Sequence, residues 1–420
     1  MTTPVRVIVI GGGAAGFFGA IACAQAAPTA QVTLLEAGAA PLAKVRISGG
    51  GRCNVTHHCF DPALLVQHYP RGGKALRGAF TRFQPKDTVA WYEHRGVRLK
   101  TEADGRMFPT TDDSGTVIDC LMREAQRTGV ILRTKAAVTT VSREGNHFTV
   151  RVRSQAALHC DRLLLATGSS PQGHRIASAL GHTVEPPVPS LFTFNVPDKA
   201  LHSLAGISVN PVVAKLIVPG AKPLTQTGPL LITHWGYSGP AILKLSAWGA
   251  RILHNSRYQG TLQINWLPSL NPEQLRQTLQ TARSETPKRA IANRCPVDVP
   301  KRLWQYWVQQ AGLDETVTWA NLPKKALNAL VESISRGTYP IQGKGVFKEE
   351  FVTCGGVNLS EIDFKTMASR RCAGLFLAGE VLNIDGITGG FNFQSAWTTG
   401  WLAGQVLGKH SPTIADSLKT

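Results

Sequence analysis

The sequence predicts an α/β protein in which a nucleotide-binding βαβ domain is interrupted by an inserted β domain. Three observations carry this prediction. An apolar run near the N-terminus ends in glycines, a cluster of prolines begins at Pro186, and a strand-and-helix pattern returns toward the C-terminus. A continuous apolar run is typical of a strand buried on both faces of a parallel sheet. The two ends of the chain are therefore expected to form one domain.

The length of 420 residues exceeds what one ordinary core supports, so more than one domain is expected. We expect residues 1–189 and 346–420 to form the nucleotide-binding domain. Residues 190–345 are expected to form the inserted β domain, because short β-like pieces follow the prolines. Helical patterns within the insertion predict a helical subdomain at about residues 268–335.

The individual elements follow from hydrophobic patterning. The strands predicted in the nucleotide-binding domain are Val5–Ile10, Gln31–Glu36, Val130–Leu132, Ala137–Val141, His147–Val152, Arg162–Ala166 and Leu375–Ala378. The helices predicted there are Gly16–Ala27, Thr116–Thr128 and Gln394–Leu407. The insertion is predicted to contain the strands Leu191–Val196, Pro211–Val218 and Gly260–Trp266 and the helices Pro272–Ala282, Lys301–Ala311 and Lys324–Val331. A strand-forming pattern returns from Val346.

The first strand ends in a glycine signature. Gly11 permits the tight turn, Gly13 lets the backbone approach a pyrophosphate, and Gly16 allows close helix packing. The start of the helix that follows supplies N–H groups and a dipole that favour a phosphate. Glu36 ends the second strand, where a carboxylate accepts hydrogen bonds from ribose hydroxyls. The combination predicts a dinucleotide site, against the alternative of a tight turn with no ligand.

The C-terminal segment favours FAD over NAD, because an NAD enzyme needs no such segment. A strand there ends in Gly379-Glu380, and the stretch Thr388–Asn392, which contains two glycines, then opens a helix. These two pieces can hold the ribityl chain and pyrophosphate of a long cofactor. Thr167-Gly168 follows another apolar run and is typical of a crossing near the same cofactor. The order of these pieces along the chain predicts FAD.

The same combination resembles the two-dinucleotide-binding-domain flavoproteins and, more closely, the YhiN/BaiN-like family of FAD-dependent oxidoreductases. The stretches that carry the resemblance span nearly the whole chain: Lys44–Asn54, His234–Leu243, Asn321–Lys325, Val352–Val357 and Gly374–Asn392. One position departs from the family pattern. Where the family usually continues Asn-x-Thr-Asn, this chain has Asn54-Val55-Thr56-His57.

The resemblance implies a Rossmann-like FAD-binding domain with an inserted β-barrel-like domain and a nested helical subdomain. It implies non-covalent FAD, with Gly49–Asn54 along its phosphates and Gly389–Asn392 beside the flavin ring. The residues expected to bind the cofactor are Gly11, Gly13, Ala14, Ala15, Gly16, Glu36, Ala37, Lys44, Gly50, Arg52, Asn54, Val138, Thr167, Gly168, Gly379, Glu380, Gly389, Gly390, Phe391 and Asn392.

Cys354 and His234 are the catalytic candidates. Cys354 lies in a motif expected near the flavin and could donate a proton after hydride transfer, although a small buried residue before two glycines is the alternative. His234 could act as an acid or base, as could His57 and His58, although loop histidines are often only hydrogen-bonded.

Two other kinds of centre are not expected. Cys53 and Cys59 are interpreted as ordinary thiols, because five residues separate them where disulfide reductases have four. The histidines and cysteines lack zinc-type spacing, so no metal is predicted.

The chain carries 45 Lys and Arg against 27 Asp and Glu, a net charge of +18, and the surplus lies outside the C-terminal tail. Such a surplus favours a polyanionic partner such as ribosomal RNA, with a soluble basic surface as the alternative. Scattered cysteines and the lack of a long apolar window predict a cytoplasmic protein without membrane contact. The sequence does not determine the oligomeric state. The basic residues assigned to an RNA surface are Arg71, Lys74, Arg77, Arg82, Lys86, Arg289, Arg294, Lys301 and Arg302.

The expected chemistry is ping-pong reduction of an electron-poor C=C bond through FAD. NAD(P)H is expected as a transient electron donor, because no second glycine signature provides a dedicated NAD(P)H domain. Uridine in ribosomal RNA is the leading substrate. The alternatives are a small-molecule enoyl or steroid-type reductase, an amino-ketone oxidase, and a flavin-bound RNA-binding or sensor protein without turnover.

Overall fold

The computed structural model describes residues 3–345 and 352–409 of the chain. These residues divide into two compact units: unit 1 comprises residues 3–187 and 353–409, and unit 2 comprises residues 188–345 and 352. The position Val346, from which the sequence predicts a returning strand pattern, lies outside the described residues.

Unit 1 is built on a seven-stranded sheet with a parallel centre. The strands, in spatial order, are Ile362–Asp363, Ala368–Ser369, Leu375–Leu377, Arg162–Leu165, Arg6–Ile10, Gln31–Leu35 and Ile131–Arg133. The first strand of the chain lies at the centre, with Ile8 opposite Thr33 on one side and Leu163 on the other. Five neighbouring strands run parallel, and the two short strands at one edge join them through antiparallel pairings. The predicted α/β class is confirmed.

The remaining elements of unit 1 surround this sheet. Its helices are Ala14–Ala26, Ala43–Ile47, Pro62–Leu65, Gly73–Phe80, Pro85–Glu93, Ser114–Arg127, Pro171–Ala179 and Phe391–Leu407. Two further three-stranded antiparallel sheets consist of Thr56–His57, Arg106–Pro109 and Leu99–Thr101, and of Val138–Glu144, His147–Val152 and Leu158–Cys160. Val184–Ser190 pairs with Val352–Val357. Within the described part of the chain, no helix is both long enough and apolar enough to cross a bilayer.

Unit 2 contains a six-stranded antiparallel sheet that curls on itself. Its strands, in spatial order, are Phe194–Asn195, Gly236–Ser238, Leu224–Thr233, Ser208–Ile217, Gln259–Asn265 and Gly337–Gln342. The two ends of the sheet meet, because the Asn195 amide donates to the Gly343 carbonyl at 3.2 Å and the Gly345 amide donates to the Thr193 carbonyl at 2.9 Å. This closure removes exposed strand edges and gives the barrel-like form that the resemblance implies.

The helices of unit 2 are Lys199–His202, Pro240–Trp248, Ala250–Asn255, Pro272–Glu285, Lys301–Gln310 and Lys324–Arg336. The three helices predicted in this region are confirmed. Each begins at the predicted residue, and only its end differs from the prediction. Three strands, Leu224–Thr233, Gly236–Ser238 and Gly337–Gln342, were not expected from the sequence. The core of unit 2 contains the fully buried indoles of Trp266, Trp304 and Trp319.

The first helix of unit 1 (Ala14–Ala26, the N-terminal helix) packs against the last one (Phe391–Leu407, the C-terminal helix) through glycines. A Cβ atom added at Gly400 would lie 2.5 Å from the Ala15 carbonyl oxygen. One added at Gly404 would lie 2.5 Å from the Ala22 Cβ. The backbones therefore approach more closely than any residue with a side chain permits, and the start of the N-terminal helix lies against the middle of the C-terminal helix.

Replacing Gly400 with valine is expected to lower the free energy of unfolding by about 2–3 kcal/mol, because overpacking forces the two helices apart. Urea unfolding followed by circular dichroism measures this change. Gly78→Ala is the matched control, since Gly78 lies in the helix Gly73–Phe80 and has open space around it. That substitution should raise stability by about 0.5–1 kcal/mol. Equal stability of Gly400→Val and the wild type would show that the helices are not in close contact.

Candidate functional site

The glycine turn of unit 1 has the geometry of a phosphate-binding turn. Gly11 has φ +110°, and a Cβ there would lie 2.3 Å from the Ala166 carbonyl oxygen. A Cβ on Gly16 would lie 1.9 Å from the Gly11 carbonyl oxygen, so only glycine fits at either position. Gly13 caps the N-terminal helix without a side-chain hydrogen bond, and nothing lies within 4 Å of the place where its Cβ would be. The start of the helix at Gly13 and Ala14 thus has open space beside it that suits a pyrophosphate, whereas Ala15 is buried.

Glu36 lies against this turn at the end of the second strand. Its Oε2 accepts a hydrogen bond from the Gly12 amide at 2.9 Å, and its Oε1 accepts one from the Gly38 amide at 2.6 Å. Each carboxylate oxygen retains a lone pair for a ribose hydroxyl. Ala37 follows and is exposed. The Ala136 amide donates to the Glu36 carbonyl at 2.8 Å, which brings the start of the strand at Val138 to the same region.

Three distant segments converge at the carboxyl ends of the parallel strands. The Lys44 Nζ lies 2.7 Å from the Glu380 Oε2, and a Cβ on Gly168 would lie 3.8 Å from that same oxygen. Gly379 has φ +75°, and a Cβ there would lie 2.8 Å from the Ala15 Cβ. The carboxyl edge of an open α/β sheet is where ligands bind. The structure therefore brings together residues that the sequence places far apart.

Thr167 precedes Gly168, and its buried hydroxyl makes no hydrogen bond within the described residues. The hydroxyl points at the helix Pro171–Ala179, where a Cβ on Gly173 would lie 1.8 Å from it. Thr167 thus lies at this edge, but its hydroxyl is directed at protein.

The glycine-rich loop Ser48–Gly51 has three consecutive left-handed residues. Gly50, with φ +71°, has nothing within 4 Å of its absent Cβ, so its backbone is open to a ligand. Arg52 is oriented differently from the expectation. Its guanidinium stacks on the Phe108 ring at 4.0 Å and pairs with Glu102 at 2.7 Å. Both contacts fix the loop from the protein side, so in this structure the Arg52 side chain holds the loop.

The stretch before the C-terminal helix is joined to the loop after Arg52. The Asn54 side-chain amide is oriented so that both its oxygen and its nitrogen are hydrogen-bonded. Its oxygen accepts from the Gly390 amide at 2.9 Å, and its nitrogen donates to the Thr56 carbonyl at 3.0 Å. A Cβ on Gly390 would lie 2.5 Å from the Thr56 carbonyl oxygen. Asn392 bonds the Gly386 amide and carbonyl at 2.8 and 2.9 Å. Gly389 has φ +136°, and a Cβ there would lie 2.6 Å from the Phe391 ring.

Aromatic rings gather around Phe391. The His57 and His68 rings stack on it, with centroids at 4.7 and 4.3 Å. The Tyr69 hydroxyl donates to the Phe391 carbonyl at 2.7 Å. His57, the position at which this chain departs from the family pattern, thus lies within the predicted flavin-ring region.

Cys354 is fully buried in the strand Val352–Val357. Arg71 lies within electrostatic range of it and forms an ion pair with Asp385, a carboxylate with no exposed surface. Sequence reasoning missed Asp385, although a lone acid inside the apolar stretch 381–387 is a visible signal. The assignment of Arg71 to an open RNA surface is wrong, because its side chain is 19% exposed and bonded to Asp385.

Three further candidates are a histidine of unit 2 and two cysteines of unit 1. His234 is exposed at a hairpin tip of unit 2. Cys53 and Cys59 form no disulfide, and burial raises the pKa of Cys53 to about 12 and also raises that of Cys59. Residues 3–345 and 352–409 contain no group of three His, Cys, Asp or Glu side chains placed to hold a metal.

Most of the basic residues assigned to an RNA surface are exposed. In unit 1, Arg82 donates to the Lys365 carbonyl and is exposed. The other exposed members of the assigned set are Lys74, Arg77, Lys86, Arg289, Arg294, Lys301 and Arg302.

Comparisons with known proteins identify the family. The sequence model of the HI0933-like protein Rossmann domain matches residues 5–406. A ribosomal RNA dihydrouridine synthase of Escherichia coli is 30% identical over 95% of this chain and 97% of its own. The protein of the same name from Haemophilus influenzae is 31% identical over 94% and 96%. A 3-dehydro-bile acid Δ4,6-reductase of Clostridium scindens is 28% identical over 95% and 98%.

A solved structure shares the fold. The 3-ketosteroid-Δ4-(5α)-dehydrogenase of Rhodococcus jostii aligns with a TM-score of 0.51 at 15% identity, covering 97% of each chain. At that identity the likeness concerns the fold alone.

The purified protein should be yellow, with absorbance near roughly 450 nm from bound oxidised flavin. Gly13→Asp should abolish this absorbance, because a carboxylate would occupy the open space over the helix start and repel a pyrophosphate. Gly145→Asp is the matched control, since Gly145 lies in a hairpin turn with φ +57° and open space. Aspartate tolerates that conformation. Equal flavin content in the two variants would contradict the assigned phosphate site.

Proposed function

The chain belongs to the HI0933-like family and is an FAD-dependent oxidoreductase, and we propose that it reduces uridine in ribosomal RNA to dihydrouridine. The observation that carries this proposal is the charge of the insertion. Residues 190–345 contain 17 basic and 7 acidic side chains, and the cations assigned there to RNA are all exposed. Two relatives of about the same length carry the name of such an enzyme, which supports the same substrate.

The reaction adds a hydride and a proton across one C=C bond. The chemistry that FAD supplies when bound is transfer of a hydride equivalent, proposed to come from NAD(P)H, to one carbon of that bond. The protein provides binding and orientation. We assign the pyrophosphate to the turn at Gly13, the adenosine ribose to Glu36, and the region of the flavin ring to Gly389–Phe391. The target base would have to leave its stack in the RNA to reach the region of the flavin ring.

We propose Cys354 as the source of the proton. Its thiol is buried in unit 1. The thiol would release its proton to the second carbon of the double bond and regain one from water. Arg71 lies within electrostatic range of Cys354, and its positive charge would favour the thiolate left behind. His234 remains the second candidate, because its exposed position allows exchange with solvent.

A small-molecule C=C reductase is the second candidate function. The observation that favours it is the bile acid reductase of Clostridium scindens, which matches this chain over 98% of its own length. The two functions share the FAD site and the chemistry, so only the substrate distinguishes them.

Ribosomal RNA from cells that lack the gene should lose dihydrouridine, and a plasmid copy of the gene should restore it. Mass spectrometry of nucleoside digests measures the content. Dihydrouridine in transfer RNA from the same cells is the internal control and should not change. Unchanged ribosomal content would contradict the RNA substrate and favour a small molecule.

Cys354→Ala should slow substrate reduction by about 100-fold, the usual contribution of a general acid. Reduction of bound flavin by NAD(P)H should keep its rate, because no substrate proton moves in that half-reaction. Stopped-flow absorbance separates the two half-reactions. Cys354→Ser, which nearly preserves volume, controls for packing and should retain part of the activity. Substrate reduction at the wild-type rate in Cys354→Ala would exclude Cys354 as the proton donor. His234 would then be the remaining candidate, and His234→Gln would test it.

A further inference from the structure

Unit 2 carries a surface whose purpose the FAD chemistry does not explain. Resting on the proposed function, we infer that Trp235, Lys199, Lys301 and Arg302 bind unpaired RNA, with Trp235 stacking on a base. We call these four residues the Trp235 surface.

Trp235 is an exposed indole on a rigid tip. It forms a two-residue turn with His234 between the strands Leu224–Thr233 and Gly236–Ser238, and it is 57% exposed. Its backbone is fixed, because its carbonyl accepts from the Val196 amide at 2.9 Å. Exposing so large an apolar ring forgoes the free energy of its burial. A rigid, exposed aromatic side chain is what stacking on an unpaired base requires.

Lys301 and Arg302 are exposed cations in an unfavourable place for the helix. They occupy the first turn of Lys301–Gln310, where the helix dipole disfavours positive charge. The cap residue Pro300 offers no side-chain hydrogen bond. Helix stability therefore does not account for these two charges, whereas phosphate binding does.

One short segment ties the two features together. Val196 bonds the Trp235 carbonyl, and two residues later the Asp198 carboxylate accepts from the Tyr306 hydroxyl at 2.6 Å, on the helix that begins at Lys301. The Arg302 guanidinium also donates to the Ser203 carbonyl. Trp235 and the basic first turn thus rest on the same stretch of chain.

The residues around the Trp235 surface carry mainly positive charge. Lys199 is exposed on the connecting segment, and Asp298 is an exposed acid close to the helix start. Asp198 is engaged with Tyr306 and with the Leu201 amide. Three further exposed cations, Lys288, Arg289 and Arg294, lie in the stretch that precedes the helix. An aromatic side chain among cations matches a single strand, which offers both base faces and phosphates.

The test uses the full-length, FAD-loaded protein and a short fluorescein-labelled oligouridine, with anisotropy measured over a salt series. Trp235→Ala should weaken binding by about tenfold, and Trp235→Phe should weaken it less. The double variant Lys301→Gln/Arg302→Gln should reduce the log–log salt slope by about 1.4, and Lys301→Gln alone by about 0.7. Binding of the same sequence as a duplex should not depend on Trp235, because its base faces are covered.

Arg151→Gln/Arg153→Gln is the matched control, since it removes two exposed charges from unit 1, one on the strand His147–Val152 and one in the turn that follows it. It should leave the slope unchanged. If the wild type binds and the Trp235 surface variants behave like this control, the assignment of the Trp235 surface to RNA binding is wrong, while the proposed function is unaffected. If the wild type itself shows no affinity for the oligouridine at low salt and leaves uridine unreduced, both the surface and the RNA substrate are wrong.

Discussion

The close contact between the N-terminal and C-terminal helices is the constraint on which the proposed FAD site depends. Their glycines let the backbones touch, so the helix that begins after Gly13 starts against the middle of the helix that begins after Gly390. The two helix starts come from opposite ends of the chain. Larger side chains at Gly400 or Gly404 would separate them, and the two parts of a long cofactor could not be held at once.

Around this contact the loops are fixed by groups that face the protein. Arg52 pairs with Glu102, Asn54 bonds Gly390, and Asn392 bonds Gly386. These bonds leave the backbone at Gly13 and Gly50 open. A preorganised backbone of this kind binds phosphates without rearrangement, which lowers the entropic cost of ordering the loops on binding.

The sequence predicted the parts of the fold and site that have local signals. The glycine turn, Glu36 and the strand ends at Gly168 and Glu380 follow from spacing alone. Long-range pairings have no such signal. Arg71 was assigned to the surface because its partner, Asp385, lies far along the chain, and the strand Leu224–Thr233 was missed because Gly228-Pro229 interrupts its pattern. The Trp235 surface also needs the structure, since only folding brings residues 196–203, 235 and 301–302 together.

A crystal structure of the protein grown with FAD tests the central claim most directly. The account predicts the pyrophosphate at the start of the N-terminal helix, the adenosine ribose on Glu36, and the flavin ring beside Gly389–Phe391. It also predicts that Gly400 and Gly404 stay in contact with the N-terminal helix. Density for FAD at any other place, or a ring turned away from Phe391, would contradict it.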